Sequence, residues 1–213
     1  MPKHDPTEKT KRDILEAATR LFGEKGWNDV NIEDIVNELG VTRGAFYHYF
    51  KSREDLIYAV IVQPLVDNNP FLLVSREQGL SALEKLRFSL KCSLKAQLSV
   101  VLSNNMLKTM YDPIVMKSNI MFSINVIAPH IEKFLAEGNE DGSISVVYPK
   151  HAAQAVGMMF NEWLNPTLFS MTVDEFGERI LFLEHFGERL GMPVVDDELK
   201  EMIWQLYECY RQK

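Results

Sequence analysis

Apolar residues recur at helical spacing from near the start of the chain. Ile14, Ala17, Ala18, Leu21 and Phe22 sit at i, i+3, i+4, i+7 and i+8, so the spacing predicts a helix over 7–26 with one apolar stripe. Gly26 ends it, because the last turn needs a residue tolerant of positive φ. Asn31 reads as an N-cap with acids in the first turn, opening a helix that carries Ile32, Ile35, Val36 and Leu39 and stops at Gly40. Thr42 caps a third, short helix to about Tyr49. Ser52-Arg53-Glu54-Asp55 has capping-box spacing and opens a fourth helix through Leu56, Val60 and Ile61 toward Pro64. Asn68-Asn69-Pro70 breaks the periodicity and marks a joint over 66–75.

Beyond the joint the patterns lengthen. Ser81-Ala82-Leu83-Glu84 is a capping box for a helix to about Leu102, and Asp112-Pro113 is an N-cap followed by proline at the first helical position, predicting a helix to about Glu137. Gly138–Gly142 is a polar turn, and Ser143–Tyr148 a connector with the option of being extended. Pro149 opens a helix to about Phe169, Thr172 caps one that ends near Gly191, and Asp196 opens a last helix with Leu199, Met202, Ile203, Leu206 and Tyr210 on one face. Nine or ten helices, with no convincing strand pair and no internal repeat, make the fold class all-α.

The break Leu39-Gly40-Val41-Thr42 between the second and third helices suits a helix-turn-helix, with Gly40 supplying the turn and Thr42 capping the recognition helix. From Thr42 to Arg53 the chain reads TRGAFYHYFKSR, with three basic residues, one histidine and no acid. Phe46 and Phe50, four apart, suit the core, which leaves Arg43, Tyr47 and His48 to point outward. Arginine at the start of such a helix can donate two hydrogen bonds to guanine, while tyrosine hydroxyls and helix N-termini suit phosphates. Arg53, at the head of the fourth helix, is expected to point at a phosphate.

Charge changes this picture only in part. The 213 residues carry 23 Lys+Arg against 30 Asp+Glu, a net −7, which excludes a protein that coats nucleic acid by bulk charge. Lys9, Lys11 and Arg12 read equally as a DNA-contacting arm or as a solvated tail. The cysteines, Cys92 and Cys209, lie far apart, so two reduced thiols are expected, with no metal site and no cofactor. With no 18-residue apolar run and no apolar core in Met1–Pro6, neither a membrane span nor a leader is expected. No HExxH, GxSxG, P-loop or GxGxxG is present, so no enzyme is expected.

The stretch from Thr10 to Leu56 resembles the amino-terminal domain of the TetR family of bacterial transcriptional regulators. The matching positions are Ile14, Ala17, Ala18, Leu21, Phe22 and Gly26; then Ile32, Ile35, Val36, Leu39, Gly40 and Val41; then Gly44, Phe46, Tyr47, Tyr49, Phe50 and Leu56. The resemblance implies a cytoplasmic homodimer on a palindromic double-stranded DNA operator, with a divergent helical domain for a small effector. It implies DNA contacts at Thr42, Arg43, Gly44, Ala45, Tyr47, His48, Tyr49 and Arg53; for His48 and Tyr49, packing is the alternative. Residues 1–66, with the linker helix 53–64, are then the DNA-binding domain, and 67–213 the larger helical effector-binding and dimerisation domain. The linker helix is the expected lever between them.

Nine of the ten methionines lie beyond residue 100, a bias that suits an adaptable apolar pocket as well as plain core filling. Candidate effector-binding residues are Met106, Met110, Phe122, Asn125, Met158 and Asn161, the asparagines as polar anchors. The helices at 150–169 and 173–190 are apolar on more than one side. The family resemblance pairs them with their symmetry mates, and the expected interface is Ala153, Val156, Gly157, Phe160, Phe176, Ile180 and Leu183. Whether the final helix serves the dimer or the core stays open. The reading is an effector-responsive regulator, a repressor released by a small, largely apolar compound; the alternative is a dimer controlled by a protein partner without an effector.

Overall fold

The computed structural model describes residues 6–67, 69–75, 77, 79–102 and 112–211. Among them are ten helices and no strand. They form two compact units: 6–67 with 112–118, and the remainder.

The first unit contains α1 (Pro6–Lys25), α2 (Ile32–Leu39), α3 (Arg43–Tyr49) and α4 (Arg53–Asp67). The stripe read from the sequence is its core: Ile14, Ala18, Leu21, Phe22, Ile35, Phe46, Phe50, Leu56 and Ile57 are buried, with Phe22 stacked on Trp27 at 4.6 Å between ring centroids. The local start and stop signals act as the residue types dictate. The Asn31 side chain accepts from the Asp34 amide at 3.0 Å while the Asp34 carboxylate accepts from the Asn31 amide at 2.9 Å, a reciprocal cap. Gly40 closes α2 at φ 65°, and the Val41 amide returns to the Val36 carbonyl at 3.0 Å. Thr42 Oγ1 accepts from the Ala45 amide at 3.1 Å and so fixes where α3 begins. α4 runs through Pro64 to Asp67, three residues past the expected stop.

The second unit contains α5 (Pro70–Val74), α6 (Ala82–Leu102), most of α7 (Pro113–Asp141), α8 (Pro149–Met158), α9 (Val173–Arg189) and α10 (Asp197–Arg211). The joint therefore holds a helix of its own, capped by a buried Asn69 and burying Phe71 and Val74. α7 contains a π turn, Ser123–Ile127, and α8 continues into another, Met159–Trp163. α8 stops about six residues earlier than its apolar run implied. The Asn165 side chain accepts from the Thr167 amide and hydroxyl, and a residue before proline disfavours helical geometry. The 143–148 connector forms no strand; the Asn139 side chain brackets the Val146 amide and carbonyl at 2.8 and 2.9 Å instead. Gly191 (φ 76°) closes on the same connector, where a Cβ would lie 2.2 Å from the Ser145 carbonyl oxygen.

α10 packs on α6, so the last helix contributes to the core of the unit. Leu199, Ile203, Leu206 and Tyr207 are buried, Tyr207 stacks on Phe176 at 4.0 Å, and Lys91 on α6 pairs with Asp196 at 2.9 Å. One correction concerns α7. Pro113–Asp141 is long and apolar enough, by length and composition, to cross a membrane. Its Phe122, Ile127, Ala128, Ile131, Phe134 and Leu135 are buried, which fits a core helix packed on α6 and α8.

Candidate nucleic-acid interface and a buried polar cluster

α3 sorts its side chains as the spacing predicts. Phe46 is fully buried and Phe50 nearly so, 5.8 Å apart between centroids, while Arg43, Gly44, Tyr47 and His48 are exposed and Ala45 and Tyr49 half-buried. Tyr47 is 51% exposed, a large aromatic the fold does not need inside. The ring of Tyr49 meets His48 edge-on at 4.9 Å, so Tyr49 supports His48 on the outer face. A Cβ on Gly44 would meet only Thr42 Oγ1, at 3.8 Å. Among the described residues nothing demands a glycine there, although glycine inside a helix costs about 1 kcal/mol relative to alanine.

Two basic residues behave differently from expectation. Arg43 forms an ion pair with Glu33 on α2, so an acid of the neighbouring helix holds the expected base reader. Arg53 does not point outward. Its Nε donates to the Val30 carbonyl at 2.8 Å, its guanidinium lies 6.0 Å from the Phe22 ring centroid, and its Nη2 is buried without a partner. It ties α4 to the loop after α1, which corrects its assignment as a phosphate contact. The head of α4 is already occupied by acids of the chain. Its own backbone amide and the Ser52 hydroxyl hold Glu54 below the usual carboxylate range, and Asp55 accepts from the Lys51 amide at 3.0 Å. Lys51 itself is exposed.

In the second unit the effector candidates separate. Met106 and Met110 lie outside the described residues. Asn125 and Met158 are exposed, Phe122 is buried, and of the two asparagines only Asn161 joins a polar cluster. Gln97 Nε2 donates to Asn161 Oδ1 at 3.0 Å, Asn161 Nδ2 donates to Ser123 Oγ at 2.9 Å, and Ser123 Oγ donates to Glu162 Oε1 at 2.9 Å. Glu162 is 9% exposed, and its Oε2 is buried with no partner. Burial pushes its pKa from 4.5 to about 7, against the opposing hydrogen bond from Ser123. Gln97 and Asn161 also line a crevice of about 10 Å³, room for roughly one water, beside Leu94, Phe160, Tyr207 and Tyr210. Gln97, Ser123 and Glu162 were missed in the sequence. The available signal was Glu162, the one charged residue between His151 and Phe169 in a mostly apolar stretch.

The expected interface residues are a correction. Ala153, Val156, Gly157, Phe160, Phe176, Ile180 and Leu183 are all buried inside the chain's own core. Gly157 permits a close approach within the chain, since a Cβ there would be 3.5 Å from the Ser123 carbonyl oxygen. The apolar residues left exposed on the same helices are Met158 on α8 and Val173, Leu181 and Phe182 on α9. Both helices are apolar on more than one face, and only packing shows which stripe faces inward.

A capped, glycine-turned helix pair that presents α3, followed by a larger helical unit, defines a helix-turn-helix protein. Residues 14–60 match the family described as bacterial regulatory proteins, tetR family. Over that domain the chain is similar to TetR-family regulators. It is 35% identical over 79 residues to the transposon Tn10 TetC protein of Escherichia coli, covering 36% of this chain and 40% of that protein. It is 41% identical over 49 residues to the transcriptional regulator AcrR of Shigella flexneri, covering 23% of each. The matches thus span less than half the length of these relatives. In fold it is similar to RolR, solved in complex with resorcinol, at a TM-score of 0.59 and 18% identity over 92% of this chain and 94% of that one.

Proposed function

We propose that the chain is a cytoplasmic, dimeric transcriptional repressor that reads a palindromic DNA operator through α3 and is released by a small effector bound in the second unit. The division of labour follows the reading of 1–66 as DNA-binding and 67–213 as effector-binding and dimerising. The observation that carries it is the outer face of α3, where Arg43, Gly44, Tyr47 and His48 are exposed in a family-matched domain. Two such helices related by a two-fold axis must lie about one helical turn, roughly 34–36 Å, apart to enter successive major grooves. An effector that favours a different separation shifts the population away from the DNA-bound state, and DNA weakens effector binding by the same factor. The small volume of the crevice fits this scheme, because an effector must open it and so stabilise another conformation. Selection of bound sequences from a random DNA pool tests the reading. A palindromic consensus is expected; sequence-independent binding alone would overturn it.

Two substitutions probe the face itself. Glu33→Gln frees Arg43, so operator affinity rises about threefold to tenfold and its salt dependence steepens; unchanged affinity in a binding titration would show that Glu33 does not compete with DNA. Gly44→Ala stabilises the fold by roughly 0.5–1 kcal/mol, since the Cβ meets only Thr42 Oγ1 at an ordinary contact distance, yet weakens operator binding by crowding the DNA. Thermal unfolding and DNA titration on the same sample separate the two effects.

The dimer is proposed to use the exposed apolar face of α9, with Leu181 and Phe182 at its centre. Leu181→Asp combined with Phe182→Ser yields a monomer by sedimentation with its helical content kept. A variant that stays dimeric moves the interface elsewhere.

A further inference from the structure

The cluster around Glu162 is a unidirectional chain. Gln97 donates to Asn161, Asn161 to Ser123 and Ser123 to Glu162, so every hydrogen bond runs toward the carboxylate and ends there. Among the described residues the open end, Oε2, has no partner, on a side chain nine-tenths buried. Among the described residues no cation pairs with it, and burial alone raises its pKa. Leaving a buried acceptor unmade is costly, and a lone buried carboxyl more so. Both Ser123 and Glu162 sit in π turns, a rare distortion that occurs often at functional sites.

We propose that Glu162 anchors the effector, and that the effector is an apolar molecule bearing a protonated amine whose N–H groups satisfy Oε2. This rests on the effector-binding reading of the second unit. The chemistry is selective in one direction. An ammonium supplies both the missing donor and the compensating positive charge, and such a bond is stronger than a neutral one. An alcohol supplies a donor only, and a carboxylate meets like charge. Binding the amine keeps Glu162 ionised, so any proton it carries in the free protein leaves on binding.

The test uses the full-length protein and three probes of one skeleton: 2-phenylethylamine, 2-phenylethanol and phenylacetate. Calorimetry is expected to show the amine binding about tenfold or more tighter than the alcohol, with phenylacetate weakest. Glu162→Gln should reduce the amine-over-alcohol preference to below about threefold while the circular dichroism is kept. Independently, the infrared band of a protonated carboxylic acid should be present in the wild-type protein near neutral pH, disappear on adding 2-phenylethylamine, and be missing in the variant. No binding of the amine, equal binding of amine and alcohol, or a preference that survives Glu162→Gln would each overturn the proposal. These outcomes are distinct from failure of the wider reading. If cell extract still releases operator DNA while the amine preference is absent, effector control stands and Glu162 is not its anchor. If nothing releases the DNA, effector control itself falls.

Discussion

Replacing Arg43 and Tyr47 together by alanine lowers affinity for the selected operator by roughly a hundredfold or more, and leaves weak, sequence-independent binding. An arginine that donates two bonds to guanine contributes about 1–3 kcal/mol of discrimination, and a tyrosine hydroxyl on phosphate contributes a further bond to a charged group, about 1.5–3 kcal/mol. Stability should change little, because the Tyr47 side chain is half-exposed and Arg43 leans on Glu33 at the surface, where ion pairs contribute little. Part of the loss has a second origin. Without Arg43, Glu33 faces the DNA uncompensated, so adding Glu33→Gln to the double variant should recover some non-specific binding. Titration of operator and scrambled DNA against wild type and the double and triple variants checks this. Operator binding that survives the double substitution would place base reading outside α3. The salt dependence should stay shallow for a DNA reader, since Arg53 is turned inward and Arg43 is paired in the free protein.

Replacing Glu162 by glutamine should flatten the pH dependence of stability. The folded-state pKa is raised from 4.5 to about 7, so the folded protein holds a proton that the unfolded chain has already released. Stability is therefore greatest, with respect to this group, below about pH 4.5, and falls as pH rises toward and through 7. The total loss is on the order of 3 kcal/mol, at about 1.4 kcal/mol per unit. Among the described residues no charged group contributes to this shift; burial raises the pKa and the Ser123 hydroxyl opposes it. Glutamine removes the titration but leaves an amide that lacks an acceptor. The variant should thus be slightly less stable than wild type near pH 5 and more stable near pH 8, with a crossover between. Chemical denaturation across that range decides the matter. Parallel curves for the two proteins would mean that the Glu162 carboxyl is ionised in the folded state near neutrality.

The local grammar of this chain was legible without coordinates. Caps at Asn31, Thr42 and Thr172, the positive-φ glycine at position 40 and a 3.6-residue apolar period act over four or five residues, so a helix start or stop needs no distant partner. That is why the helix-turn-helix, its inward Phe46 and Phe50 and its outward Arg43 and Tyr47 could be placed from sequence. The misplacements share another cause. Arg53 was read by its position at a helix head, but its guanidinium found the Val30 carbonyl 23 residues earlier. α8 and α9 are apolar on several faces, so periodicity could not choose which stripe would be core, and the residues expected at an interface are interior.

The sequence by itself determined the capped helix starts, the stop at Gly40 and which residues of α3 face out, because those are set by backbone hydrogen bonding and spacing within a few turns. Only the tertiary structure decided what the polar residues meet. Arg43 acquired Glu33 as a partner, Arg53 turned inward, and Glu162 joined Ser123, Asn161 and Gln97, because contacts between helices depend on crossings that local spacing does not encode.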